Sequence, residues 1–185
     1  MKELSLNILD IAQNSIRAHA AHLEITLVRR GSWLTITIAD DGAGMSPAFA
    51  AEAANPFATT RTTRKVGMGL PLFKLAAEQT GGTFSIESRQ AARAGDAHGT
   101  TVRASFDTAH VDCAPLGDVT ETILTLIQGS PNRSLTYSYR TEGGERRLST
   151  DEMRAVLGDG IPLSSPEVLA WAREYLREEP ENSRA

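Results

Sequence analysis

"IADDGAGM", residues Ile38 to Met45, closes an apolar run with two adjacent carboxylates and a Gly-Ala-Gly turn. A tight hairpin calls for one Asp or Asn ahead of its glycine, not two acids. A second carboxylate where a half-buried strand stops therefore needs another purpose. The surrounding sequence supplies one.

Upstream, "ELSLNILDIAQNSIRAHA" (Glu3–Ala20) has apolar residues at helical intervals: Leu6, Leu9, Ile16 and Ala20, with Ala12 between them and Ile8 and Ile11 widening the apolar surface. The spacing predicts a largely buried helix. Asn7, Asp10, Asn14 and Arg17 form a polar stripe along it, at spacings that keep them on one face. Polar groups on a buried helix need partners, from the protein or from a ligand. "HLEITLVRR" and "SWLTITIAD" then alternate with period two and predict a hairpin turning at Arg30-Gly31-Ser32.

Downstream, Pro47 suits the first turn of a short helix from Ser46. "ATTRTTRKVGMG" (Ala58–Gly69) has no period and predicts a mobile loop. "LPLFKLAAEQTGG" predicts a second helix ending at Gly81-Gly82, and "TFSIES" and "TTVRASF" predict two more strands. The order up to about Asp107 is helix, two strands, loop, helix, two strands. That order predicts an α+β fold, with helices on one face of a mixed sheet.

From Thr108 the pattern changes. Val119, Ile123, Leu126 and Ile127 mark a helix, and "SLTYSYR" and "ERRLST" suggest a hairpin around Glu142-Gly143-Gly144. Thr150 is the expected cap of a short helix, and Ser165-Pro166 starts a last one with Val168, Ala172, Tyr175 and Leu176 inward. "EEPENSRA" is expected to fray. Two units are expected: 1–107, and a C-terminal α/β extension over 108–185. "LTYSY" looks exposed, and with the last helix it either docks a partner or covers the sheet.

The 185 residues carry a formal charge of −4, which excludes a protein that coats nucleic acid, since those are strongly basic. A single cysteine, Cys113, excludes an internal disulfide and predicts a cytoplasmic setting. Asn7, Asp10 and Asn14 interrupt the first fifteen residues too early for a signal-peptide core. No stretch approaches the ~20 apolar residues of a membrane span.

Four short features occur in a meaningful order: Asp10-x-x-x-Asn14, Asp40-x-Gly42-x-Gly44, Gly67-Met68-Gly69-Leu70 and Gly99-Thr100. Together they resemble the ATP-binding fold shared by sensor histidine kinases, gyrase B subunits, heat-shock chaperones and mismatch-repair ATPases, the GHKL superfamily. The resemblance covers Leu4 to Phe106 and implies the two-layer α/β sandwich called the Bergerat fold. Without its companions each feature has a blander explanation: a polar helix face, an Asp-Gly turn, a solvated basic loop. A calcium loop lacks acids at its third and fifth ligand positions. No P-loop sequence occurs.

The resemblance implies roles. Asn14 supplies an oxygen to Mg²⁺, and Arg17 reaches a phosphate oxygen. Asp10 occupies the water-activating position, where Glu is usual; the shorter side chain leaves ATP binding intact and puts hydrolysis in doubt. Asp40 accepts a hydrogen bond from the adenine amine, which excludes guanine. Gly42 and Gly44 bring the backbone close under the base, with Met45 adjoining, and Thr100 joins the Asp–adenine network. Asp41, replacing the usual Asn, is expected to face metal-bound water or solvent. Ala58–Val66 resembles a short ATP lid whose Arg61, Arg64 and Lys65 meet phosphate. Gly67, Met68, Gly69 and Leu70 present backbone amides at a helix start.

The first ATP-site helix begins near Leu4, so the family's helical dimerisation domain and its phosphoacceptor histidine are not expected. His19, His22, His98 and His110 lie in no phosphoacceptor setting. Three functions stay open: a stand-alone protein kinase or phosphotransfer regulator similar to anti-sigma serine kinases, a slow ATPase or ATP-gated switch, and a non-catalytic module. ATP and Mg²⁺ are the implied cofactors. A protein partner or phosphoacceptor is implied, and a homodimer is compatible with the family.

Overall fold

The structure is a computed structural model that describes residues 3–53, 69–90, 97–158 and 160–178. Helix α1 (Leu4–Arg17) has no side-chain cap at its start. Its first amides are met instead by a later loop: Leu4 N donates to Pro115 O at 2.9 Å, and Ser5 N to Leu116 O at 2.8 Å. Those groups have no partner inside a helix, so the loop does the work of a cap. The helix stops at Ala18, and His19 takes a left-handed conformation with φ of 59°.

The remaining elements follow in chain order: β1 (His22–Arg30), β2 (Trp33–Asp40), α2 (Pro47–Ala53), α3 (Gly69–Gln79), β3 (Phe84–Arg89), β4 (Gly99–Asp107), α4 (Val119–Gly129), β5 (Ser134–Thr141), β6 (Gly144–Ser149), α5 (Thr150–Leu157) and α6 (Pro166–Arg177). The six strands form one mixed sheet in the order β3-β4-β2-β1-β5-β6. Among the described residues only the β1–β5 pairing is parallel. The expected α+β sandwich is what the chain forms. Strands β5 and β6, from the C-terminal segment, continue the sheet beyond β1.

Alternation decides which face is covered. Leu23, Ile25 and Leu27 on β1, Leu34, Ile36 and Ile38 on β2, and Val102, Ala104 and Phe106 on β4 are all buried. They share one core with Ile8, Ile11 and Ala12 of α1, Phe73 and Ala77 of α3, and Ile123 and Ile127 of α4. The opposite positions of the same strands are polar or partly exposed. Phe73 anchors α3: its ring lies 5.3 Å from Phe106 and meets Phe84 edge-on at 6.4 Å.

Two expectations about the C-terminal segment are corrected. "LTYSY" is not exposed: Leu135, Tyr137 and Ser138 are buried, and Leu135 and Tyr137 join the core with Ile123 and Ile127 of α4. Burial pushes the Tyr137 phenol well above its usual range. The cap of α5 is Ser149, whose hydroxyl accepts from Glu152 N. Thr150 is instead the first helical residue; its hydroxyl accepts from Leu135 N at 2.8 Å and donates to Arg133 O at 3.0 Å. The tail expected to fray lies largely outside the described residues. Among those residues, no helix is long and apolar enough to cross a membrane.

Candidate functional site

Where β2 ends and β4 begins beside the C-terminal half of α1, the molecule has a cleft of about 300 Å³. Asn14, Ser15, Arg17 and Ala18 line it from α1, Asp40 from β2, and Thr100 and Val102 from β4. Ile11, Gly44, Met45, Phe49, Ala53 and Leu70 complete it. Most of the lining is apolar, with a few convergent polar groups, as in a site for a flat organic ligand.

Asp40 is fixed from two sides. Its Oδ1 accepts from Gly42 N at 2.9 Å, and its Oδ2 accepts from Ser15 Oγ at 2.5 Å. Antiparallel pairing sets Thr100 directly across from Asp40, and Ser88 on β3 directly across from Thr100. Three strands in register thus carry Ser88, Thr100 and Asp40 as one row. The hydroxyls of Ser88 and Thr100 are 2.7 Å apart, and Ser88 Oγ accepts from Met45 N at 2.8 Å.

The two glycines of the loop answer to protein neighbours as well as to any ligand. A Cβ on Gly42 would lie 3.0 Å from Ala18, where the loop crosses the end of α1. Gly44 has φ of +68°, and a Cβ there would fall 2.0 Å from the carbonyl oxygen of Arg89. The loop is further held by Ala43 N donating to Ala18 O at 2.9 Å, and by His98 Nδ1–H donating to Gly42 O at 2.6 Å.

On α1, Asn14 Oδ1 accepts from Arg17 Nη1 at 2.7 Å, and Arg17 Nη2 also reaches Gln13. The guanidinium therefore lies along its own helix at the cleft rim. One turn earlier, exposed Asp10 packs against the first residue of α3: a Cβ on Gly69 would stand 3.1 Å from the Asp10 Cβ. The structure thus brings Asp10, Asn14, Arg17, Asp40, Gly42, Gly44, Met45, Gly69, Leu70 and Thr100 to one region. Arg61, Arg64, Lys65, Gly67 and Met68 lie outside the described residues, as does the lid they were assigned to. Asn7, on the same helical stripe, is buried in the core rather than in the cleft, and neither of its amide atoms has a hydrogen-bond partner among the described residues.

Of the two surroundings expected for Asp41, metal-bound water or solvent, it has the second: its side chain is 39% exposed and does not line the cleft. Its carboxylate accepts from His22 N at 2.8 Å and lies 2.6 Å from His22 Nδ1. Partial burial pushes its carboxyl up, but the His22 amide, the His22 ring and the Ala21 amide outweigh that and hold it below the usual range. The second acid of "ADDG" thus ties the start of β1 to the end of β2.

Sequence reasoning missed Ser15, Ser88 and the His98 contact. Ser88 had a signal: period two places it on the covered face with Phe84 and Ile86, opposite Thr100. Ser15 had a weaker one, as a hydroxyl next to Asn14 on a buried helix.

Asn14 offers a hard oxygen at the cleft rim, which suits Mg²⁺. Among the described residues no cluster of acids, histidines or cysteines could hold a metal by itself. A magnesium ion here would need oxygens from a bound ligand and water beside Asn14, a usual ligand set for it.

The family model described as histidine kinase-, DNA gyrase B- and HSP90-like ATPase matches residues 2–110. No curated protein matches the sequence. Among solved structures, the Aquifex aeolicus MutL ATPase domain complexed with ADP is 14% identical with a TM-score of 0.56, over 94% of this chain and 88% of that one. The mycobacterial sensor histidine kinase MprB is 20% identical with a TM-score of 0.39, over 54% and 66%. Full-length ShkA, in complex with AMPPNP, is 18% identical with a TM-score of 0.42, over 55% of this chain. The match spans a fifth of ShkA and just under two thirds of MprB: 20% and 66% of those chains.

Proposed function

The chain belongs to the histidine kinase-, DNA gyrase B- and HSP90-like ATPase family, and on that premise we propose that it binds Mg-ATP in this cleft and acts as a cytoplasmic regulator, a stand-alone protein kinase of the anti-sigma type. Asp40 takes the adenine amine, Asn14 the metal and Arg17 the phosphates, and the cations Arg61, Arg64 and Lys65 add to the phosphate contacts. Bound Mg²⁺ would draw the phosphate oxygens together and offset their charge. Asp10 carries the proposal of phosphotransfer. It stands exposed beside Gly69 at the start of α3, one turn from Asn14, where it can take a proton from an incoming hydroxyl.

A second reading is an ATP-gated switch or slow ATPase that binds a partner without phosphotransfer. The continuity of the sheet favours it: β5 pairs along β1, and the loop before α4 holds the start of α1. The C-terminal segment is therefore joined to the nucleotide helix. In both readings the partner is a protein.

Terminally labelled ATP separates the two. Label retained on an added protein supports the kinase, and release of free phosphate without labelled protein supports the switch. Neither product, from protein that binds ATP, sinks the phosphotransfer reading. Asn14→Ala should cut the gain in ATP affinity given by Mg²⁺ by roughly tenfold, equivalent to ~1.4 kcal/mol. An undiminished gain would remove Asn14 from the metal site.

A further inference from the structure

We propose that Ser88 fixes the Thr100 hydroxyl as a pure hydrogen-bond acceptor toward the cleft, and so makes the site reject purines that carry an oxygen at position 6. The inference rests on the cleft being the purine site and adds a positioning residue from a third strand.

Proton counting carries it. Among the described residues Ser88 Oγ has three polar neighbours: Met45 N at 2.8 Å, Gly99 O at 3.2 Å and Thr100 Oγ1 at 2.7 Å. A serine hydroxyl owns one proton and two lone pairs. The Met45 amide can only donate, so it occupies one lone pair. The Gly99 carbonyl can only accept, so it takes the proton. What remains for Thr100 is the second lone pair, and Thr100 must fill it with its own proton. The other assignment, with Ser88 donating to Thr100, leaves the Gly99 contact with no hydrogen. With its proton committed to Ser88, Thr100 shows the cleft lone pairs alone.

Thr100 stands across the strand pair from Asp40, whose oxygens also only accept, already taking Gly42 N and Ser15 Oγ. A base edge entering between them meets acceptors on both residues. Adenine brings an amine there, with two hydrogens to give. Hypoxanthine and guanine bring an oxygen, whose lone pairs would be buried against other lone pairs. A site built for a donor rejects an analogue without one far better than it rejects a change in size. Take Ser88 away and the Thr100 hydroxyl is free to turn and donate to such an oxygen.

Ser88 also holds the loop through Met45 N, and that role would weaken all purine nucleotides alike. The ratio of two affinities separates the roles, because it is unaffected by any loss of folded protein. Calorimetry with ATP and inosine triphosphate on the wild type, Ser88→Ala, Thr100→Val and the double variant is the test. The wild type should prefer ATP, and Ser88→Ala should lower that preference about tenfold. Ser88→Thr, which keeps the hydroxyl, should restore it. In the Thr100→Val background, Ser88→Ala should leave the ratio where it is. Should Ser88→Ala not fold, Thr100→Val alone must lower the preference. An unchanged ratio in Ser88→Ala, or an equal drop with and without the Thr100 hydroxyl, overturns the proposal. Wild-type protein that binds ATP but shows no preference overturns it too, while protein that binds neither nucleotide brings down the purine reading beneath it.

Discussion

Ser15 Oγ lies 2.5 Å from Asp40 Oδ2, so a hydroxyl buried on α1 donates into the carboxylate that ends β2. Ser15 is 4% exposed, and the bond ties the helix bearing Asn14 to the strand that faces the proposed base. The residues proposed for the metal and for the purine are therefore joined by one hydrogen bond between α1 and β2.

Replacing Asp40 with Asn tests that connection. The amide nitrogen brings hydrogens to a place where Ser15 or Gly42 already donates, and the change removes the negative acceptor offered to the amine. ATP affinity should fall roughly 10- to 100-fold, since a hydrogen bond to a charged group contributes ~1.5–3 kcal/mol. Unchanged affinity by calorimetry would rule out the adenine assignment.

Gly44 and Gly31 make a controlled comparison. Both have positive φ, +68° and +55°, but a Cβ at Gly31 meets nothing within 4 Å whereas one at Gly44 falls 2.0 Å from Arg89 O. Gly31→Ala should cost only backbone strain, about 1–2 kcal/mol, with ATP affinity unaltered. Gly44→Ala must also push the loop off β3, and should melt lower and lose most ATP binding. Equal behaviour of the two variants in thermal melts and titrations would contradict this.

The Asp41–His22 contact predicts a response to acid. Asp41 titrates below its unfolded value, so its stabilising effect is complete above the usual carboxylate range near pH 4 and is lost as pH falls through the lower folded value. The wild type should lose melting temperature below about pH 4 more steeply than Asp41→Asn. Superimposable melting curves from pH 5 down to pH 2.5 would mean the contact contributes nothing.

Phe73 is fully buried between Phe84 and Phe106. Phe73→Ala should cost about 3–5 kcal/mol in denaturant unfolding. Because α3 begins at Gly69, against Asp10, ATP binding should weaken in protein that remains folded. Phe73→Leu should cost under about 1.5 kcal/mol.

The strands were legible because their apolar residues alternate. Helix α1 was legible as a helix but not in its inner face: Leu6 of the expected repeat is 47% exposed, while Ile8, Ile11 and Ala12, read only as filling or widening it, are the residues buried. Asp40 and Thr100 were found by motif, and register explains why they belong together: they are cross-strand partners. The partner of Asp41 was not legible, since it depends on His22 lying beside it across the β1–β2 pair. Nor was the burial of "LTYSY": period two marks an apolar face, but not that the core shared with α4 covers it. Thr150 was misplaced as a cap because Ser149 and Thr150 are both eligible, and the second is drawn to the backbone of β5.

The loop carbonyls of Pro115 and Leu116 grip the leading end of α1, and Asn14 and Ser15 sit near its trailing end. A partner that displaced residues 115–116 would reach Asn14 and Ser15 through one helix. If that displacement changed the affinity of the cleft for nucleotide, linkage would require nucleotide to change the partner's affinity by the same factor.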